Sequence, residues 1–204
     1  MRFVLTAACF AALIALSGCA SLSESQCLAS DWKTIGYRDG LNGAQSAVLL
    51  RHQNACMKHG VMPDREAYLA GWHEGVAQYC DASNGFNVGE RGAAYSNVCP
   101  REMQEAFYSA YQEGRRLYLA QSEINDINRA ITQKELRLKE IKAELASMAA
   151  DMIDGDATPG ARAEMLLNAK DLAQEQGKLE EEIEVLKADE AVKVERLKHL
   201  RHAV

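Results

Sequence analysis

Ile124, Ile127, Ile131, Leu138, Ile141, Leu145, Met148 and Met152 follow one another in alternating steps of three and four residues, with only Lys134 breaking the series. Such steps put every member on one narrow stripe of an α-helix, the seam of a coiled coil. After Asp154-Gly155-Asp156-Ala157-Thr158-Pro159-Gly160 the steps resume at Met165, Ala169, Leu172, Gln176, Leu179, Ile183 and Leu186. They then slip by one residue through Glu190 to Val194 and Leu197. Thr158 suits an N-cap with Pro159 at the first helical position. The remaining positions are nearly all Glu, Lys, Arg, Asp, Gln or Ala, a solvated, helix-forming coat, and runs such as Glu180-Glu181-Glu182 belong to that coat. The pattern predicts an antiparallel helical hairpin over 119–204, its helices about 35–40 residues long and rising ~50–60 Å. Two helices alone bury little, so this arm is expected to self-associate or to hold a protein partner.

The hairpin contains no aromatic residue and no cysteine, whereas 27–118 holds both tryptophans, all seven tyrosines and four cysteines. A weak repeat runs through that half. Ile35-Gly36-Tyr37-Arg38-Asp39-Gly40, Ala70-Gly71-Trp72-His73-Glu74-Gly75 and Ser109-Ala110-Tyr111-Gln112-Glu113-Gly114 share the order small, aromatic, any, acidic, glycine. Small residues four apart on a helix form a groove for another helix. Each helical glycine costs about 1 kcal/mol relative to alanine, so three such placements imply packing. A functional reading gathers Asp39, Glu74 and Glu113 around a ligand beside Trp72. Caps predict helices over 32–42 (from Asp31), 44–59 (stopped by Gly60) and 65–80 (from Asp64). The Gly- and Asn-rich segment 81–100 reads as turn and loop, and Pro100 opens a long helix.

Arg2, an apolar run from Phe3 to Leu16 and small residues before Cys19 make 1–18 a secretory signal peptide. The run is too short to span a bilayer as a helix. Leu16-Ser17-Gly18-Cys19 resembles the lipobox of bacterial lipoproteins, which predicts cleavage before Cys19 and acylation of that residue. Several acyl chains, at ~0.8 kcal/mol per buried methylene, hold a protein on a membrane almost permanently. Cys19 is thus an anchor, and 19–26 a lipidated tether. Ala20 and Ser21 replace the Asp that retains lipoproteins in the inner membrane of enteric bacteria, so the periplasmic leaflet of the outer membrane is the expected site. The periplasmic face of the inner membrane is the alternative.

The acidic balance, −6 over the whole chain, argues against nucleic acid and against a polybasic membrane patch. Cys27, Cys56, Cys80 and Cys99 remain once Cys9 leaves with the signal and Cys19 is acylated. In an exported chain they predict two disulfides, with three connectivities. The stretch RHQNACMKHG, 51–60, sets His52, Cys56 and His59 on one helical face, as metal ligands would be. An oxidising compartment favours pairing of Cys56 instead, and a helix 32–42 turning into 44–59 would bring it back beside Cys27. The expected pairs are Cys27 with Cys56 and Cys80 with Cys99. His52 continues a stripe with Val48 and Leu49 that faces a core.

The lipobox, Cys27, Trp32, Gly36-x-x-Asp39-Gly40, His52-x-x-x-Cys56, Tyr68-x-x-Gly71-x-x-x-Gly75, Tyr79-Cys80, Asn84-Gly85-Phe86 and Val98-Cys99-Pro100 together resemble an uncharacterised family of Gram-negative lipoproteins, domain of unknown function 2799. The resemblance covers roughly 19–118 and implies an envelope lipoprotein, with nothing catalytic. No Gly-x-Ser-x-Gly, phosphate loop or His-Glu-x-x-His occurs.

The expected fold is mainly α, a small disulfide-stapled helical domain (27–118) followed by a long antiparallel coiled-coil hairpin (119–204). The expected role is a non-enzymatic, membrane-anchored interaction module without cofactor other than the lipid on Cys19. Two alternatives stand beside it. One is a peptidoglycan binder or cell-wall enzyme that uses the acidic residues of the repeats and stacks sugars on Trp32, Trp72 or Tyr95. The other is a periplasmic metal-binding protein built on His52, Cys56 and His59.

Overall fold

A computed structural model describes residues 22–29, 31–153 and 157–203, all helix or connecting turn without a strand among them. The signal segment and Cys19 lie outside the described residues. The helices are α1 (Glu24–Leu28), α2 (Trp32–Leu41), α3 (Val48–Cys56), α4 (Arg65–Tyr79), α5 (Ala82–Glu90), α6 (Arg101–Ile153) and α7 (Pro159–His202), with a 3-10 turn at Met57–His59. Contacts divide the chain into two compact units. One joins Ala94–Tyr111 to the described residues before Asn87; the other joins Asn87–Ala93 to the residues from Gln112 onward.

In the first unit, helix starts follow the expected caps. Asp31 accepts from the Lys33 amide and Asp64 from the Ala67 amide, each satisfying an orphan N–H of the first turn. The hydrogen bonds from Thr34 and Lys33 hold the Asp31 carboxyl below its usual range. Cys27 is bonded to Cys56 and Cys80 to Cys99, with Cα atoms 5.4 and 5.5 Å apart. Around the first disulfide, Leu22, Trp32, Leu49 and Tyr68 form a buried cluster.

Two elements depart from the sequence reading. Helix α3 begins at Val48 rather than at 44. Gly43 turns the chain at φ 69°, and the Ala44 carbonyl accepts the Trp72 indole N–H at 2.7 Å, so that carbonyl serves a tertiary bond and not a helix. The segment expected as loop contains α5. Asp81 accepts from the Ser83 amide and Asn84 donates to the Tyr79 carbonyl. Gly85, which suggested a turn, instead lets the helix approach the Phe107 carbonyl. The true stop is Gly92, at φ 73°.

The second unit holds the hairpin. Ile127, Ile131 and Leu138 of α6 pack against Ile183 of α7, with Leu179 and Leu186 alongside. Every seam position predicted along α6 and α7 is buried or half-buried. Lys134, the gap in the series, is half-buried and its amine reaches Glu182 at 2.5 Å, so its methylenes occupy the seam while its charge leaves it. Glu123–Lys193, Lys134–Glu182 and Arg137–Glu175 run in opposite chain directions, as antiparallel helices require. Arg137 grips Glu175 through two nitrogens, at 2.8 and 3.0 Å, which holds the glutamate below the usual carboxylate range. Thr158 caps α7 with Pro159 at its first position. No helix among the described residues is long and apolar enough to cross a membrane.

Candidate functional site

Helices α2 and α4 carry the first two repeats, and they cross at their glycines. A Cβ at Gly36 would fall on the Tyr68 carbonyl, at Gly40 on that of Trp72, at Gly71 on that of Lys33 and at Gly75 on that of Tyr37. Backbone therefore meets backbone on both helices, a separation that any side chain would widen.

This close crossing sets the neighbours of Asp39. Its Oδ2 accepts from His52 Nε2 at 2.8 Å and from the Tyr68 hydroxyl at 2.7 Å. Tyr68 is fully buried and His52 nearly so. One carboxylate oxygen thus ties α2, α3 and α4 together. Burial first, and then the Asp39 carboxylate, push the Tyr68 hydroxyl far above its ordinary range. It remains a proton donor at any physiological pH. Asp39, His52 and Tyr68 do not line the cavities that open at Tyr95–Tyr108, at Ser46–Leu69 and at Leu22–Arg38. The arrangement is a brace between three helices, with both hydrogen bonds meeting on one carboxylate oxygen.

The other candidate residues occupy different places. Glu74 is exposed and pairs with Lys33 at 2.8 Å, so it does not converge with Asp39 on one ligand. Glu113 is half-buried on α6 in the second unit. Trp72 is held by its bond to Ala44 and by an edge contact with His73. Trp32 is buried in the core. Cys56, as a disulfide, has no thiolate to give a metal, and His59 stands 3.7 Å from Glu24. No group of three or more His, Cys, Asp or Glu among the described residues could hold a metal ion.

Of a second constellation the sequence reading named only Tyr95 as a candidate for binding. Tyr95 packs edge-on against Tyr108, with centroids 5.0 Å apart, and against Tyr111 at 5.3 Å. The Tyr95 hydroxyl is buried without a hydrogen-bond partner among the described residues. Tyr108 and Tyr111 are one step apart on the face of α6, and that spacing was the available signal.

Residues 31–116 match the model of a family described as protein of unknown function (DUF2799). Over this segment the chain is similar to that family. The match contains the glycine crossing, the Asp39 brace, the Cys80–Cys99 disulfide and the tyrosine cluster, and it ends before the hairpin seam. No curated protein and no solved structure matches the chain. The DUF2799 family supplies no catalytic assignment for any of these residues.

Proposed function

We propose that this chain is a lipoprotein of the cell envelope, anchored through Cys19, whose DUF2799 segment is a stapled base and whose hairpin is a protein-interaction arm. The observation that carries this reading is the hairpin itself. Its seam is filled from within by Ile127, Ile131, Leu138 and Ile183, yet Leu136, Leu167, Val185 and Val192 stand exposed on its outer faces. A hairpin closed by its own apolar seam has those outer residues left to present to a partner or to a second copy.

The role is non-catalytic, because the best-ordered polar cluster, Asp39–His52–Tyr68, is spent on bracing. The periplasmic leaflet of the outer membrane is the proposed location, from the lipobox and the Ala20-Ser21 that follows it. No cofactor besides the lipid is proposed. Growth with an alkyne-tagged fatty acid, followed by membrane fractionation, tests the anchor. Label and membrane association are expected in the native chain and lost in Cys19→Ser; a labelled or membrane-bound Cys19→Ser chain contradicts it.

A further inference from the structure

Beside the Cys80–Cys99 disulfide, where α6 begins, lies an open cleft of about 650 Å³ lined by Tyr95, Asn97, Arg101, Gln104, Glu105 and Tyr108. That volume falls inside the ~300–1,000 Å³ of ordinary small-ligand sites. One wall is tied down. The Ser96 hydroxyl donates to the Gly43 carbonyl at 2.5 Å, and Cys99 is bonded to Cys80, so the strip 95–99 is tied at two points. Tyr95 supports Tyr108 edge-on at an interplanar angle of 74°, while Tyr108 itself remains 45% exposed.

The polar groups are arranged without net charge. Gln104 donates to the Asn97 side-chain oxygen at 3.2 Å. This leaves the Asn97 amide N–H groups and the Gln104 carbonyl oxygen with no partner among the described residues. Arg101 and Glu105 lie one turn apart on α6 and form no ion pair among the described residues, so donors and acceptors of both signs face the cleft. An anion would meet Glu105 and a cation Arg101. A wholly apolar ligand would strand four polar side chains. A ring that is apolar on one face and hydroxylated around its edge satisfies the set. Its C–H face can lie on Tyr108 while adjacent hydroxyls exchange hydrogen bonds with the amides and with the two charged groups.

We infer that this cleft is a saccharide-binding site, taking a mono- or disaccharide unit stacked on Tyr108. It lies within the DUF2799 segment and is independent of the hairpin's role, so either reading can fail alone.

Two-dimensional amide NMR of the full chain, titrated separately with cellobiose, maltose and N,N′-diacetylchitobiose, tests the site. Saturable shifts at Asn97, Arg101, Gln104 and Tyr108 are expected with at least one of the three. Tyr108→Ala should weaken that binding about tenfold, whereas Tyr108→Phe, which keeps the ring, should leave it within about twofold. Because Tyr108 is half exposed, both variants should retain the native spectrum away from the cleft, which the same experiment reads. The inference is overturned by absence of saturable shifts with all three sugars, by equal binding in Tyr108→Ala, or by a cleft that responds to a short acidic or basic peptide and not to sugar.

Discussion

A single oxygen, Oδ2 of Asp39, receives two hydrogen bonds from residues 13 and 29 positions further along the chain. Replacing it with alanine leaves the His52 and Tyr68 donors buried without their acceptor, at a cost of about 1–3 kcal/mol for each. Asp39→Ala should therefore lose about 2–6 kcal/mol in urea unfolding, while Glu74→Ala, which removes an exposed pair, should lose less than about 0.5. The Tyr68 hydroxyl gives a pH signature. Its proton is held more tightly in the folded chain than in the unfolded one, whose tyrosines titrate near about pH 10. The stabilisation is thus complete below about pH 10 and declines as pH rises beyond it. Melting temperatures measured across that range should fall with a slope that Tyr68→Phe reduces; an unchanged slope would show that Tyr68 does not hold its proton in this way. His52 was legible as inward-facing from the Val48 and Leu49 stripe. Its acceptor was not, because no local pattern links residues on separate helices before their crossing is known.

At the scale of elements, glycine has three distinct jobs in this chain, and only the surroundings separate them. Gly71 sits where a Cβ would strike the Lys33 carbonyl, Gly92 holds a positive φ, and Gly177 has open space on α7. Gly71→Ala should cost about 3 kcal/mol by forcing α2 and α4 apart, whereas Gly177→Ala should gain about 1 kcal/mol from helix propensity. Chemical denaturation of the two variants decides the matter. Equal effects would mean that the crossing tolerates a methyl group and that the glycines serve another purpose. The first two repeats were recognisable as packing motifs because their four-residue spacing repeats. Gly85 was misread as part of a loop because composition cannot tell a glycine that turns the chain from one that admits a neighbouring carbonyl. The hairpin needed no such discrimination. Its periodicity covers many turns, so the seam was legible position by position, including the tolerated lysine at 134.

At the scale of the whole molecule, the DUF2799 segment and the hairpin are held by different physics. The first relies on the Cys80–Cys99 disulfide, a second disulfide that ties its Cys56 to Cys27 just before it, a glycine crossing and a buried polar brace; the second on one apolar stripe and a lattice of exposed ion pairs. Exposed pairs each contribute little, so the hairpin's outer faces are under weak demands from folding. Under the proposed role, the exposed leucines and valines there are the residues that would meet a partner. Of the proposed saccharide cleft only Tyr95 was singled out in the sequence, since its six residues come together only once α6 and the 95–99 strip are side by side.

Whether the hairpin is the interaction surface is decided by site-specific photo-crosslinking of the full chain in cells. A photoreactive residue placed at Leu167, Val185 or Val192 should give a discrete higher-mass adduct, either with one partner or with a second copy. The same residue at Glu74 on the exposed face of α4 should give none. Adducts absent from all three hairpin positions, or formed only from Glu74, would contradict the account.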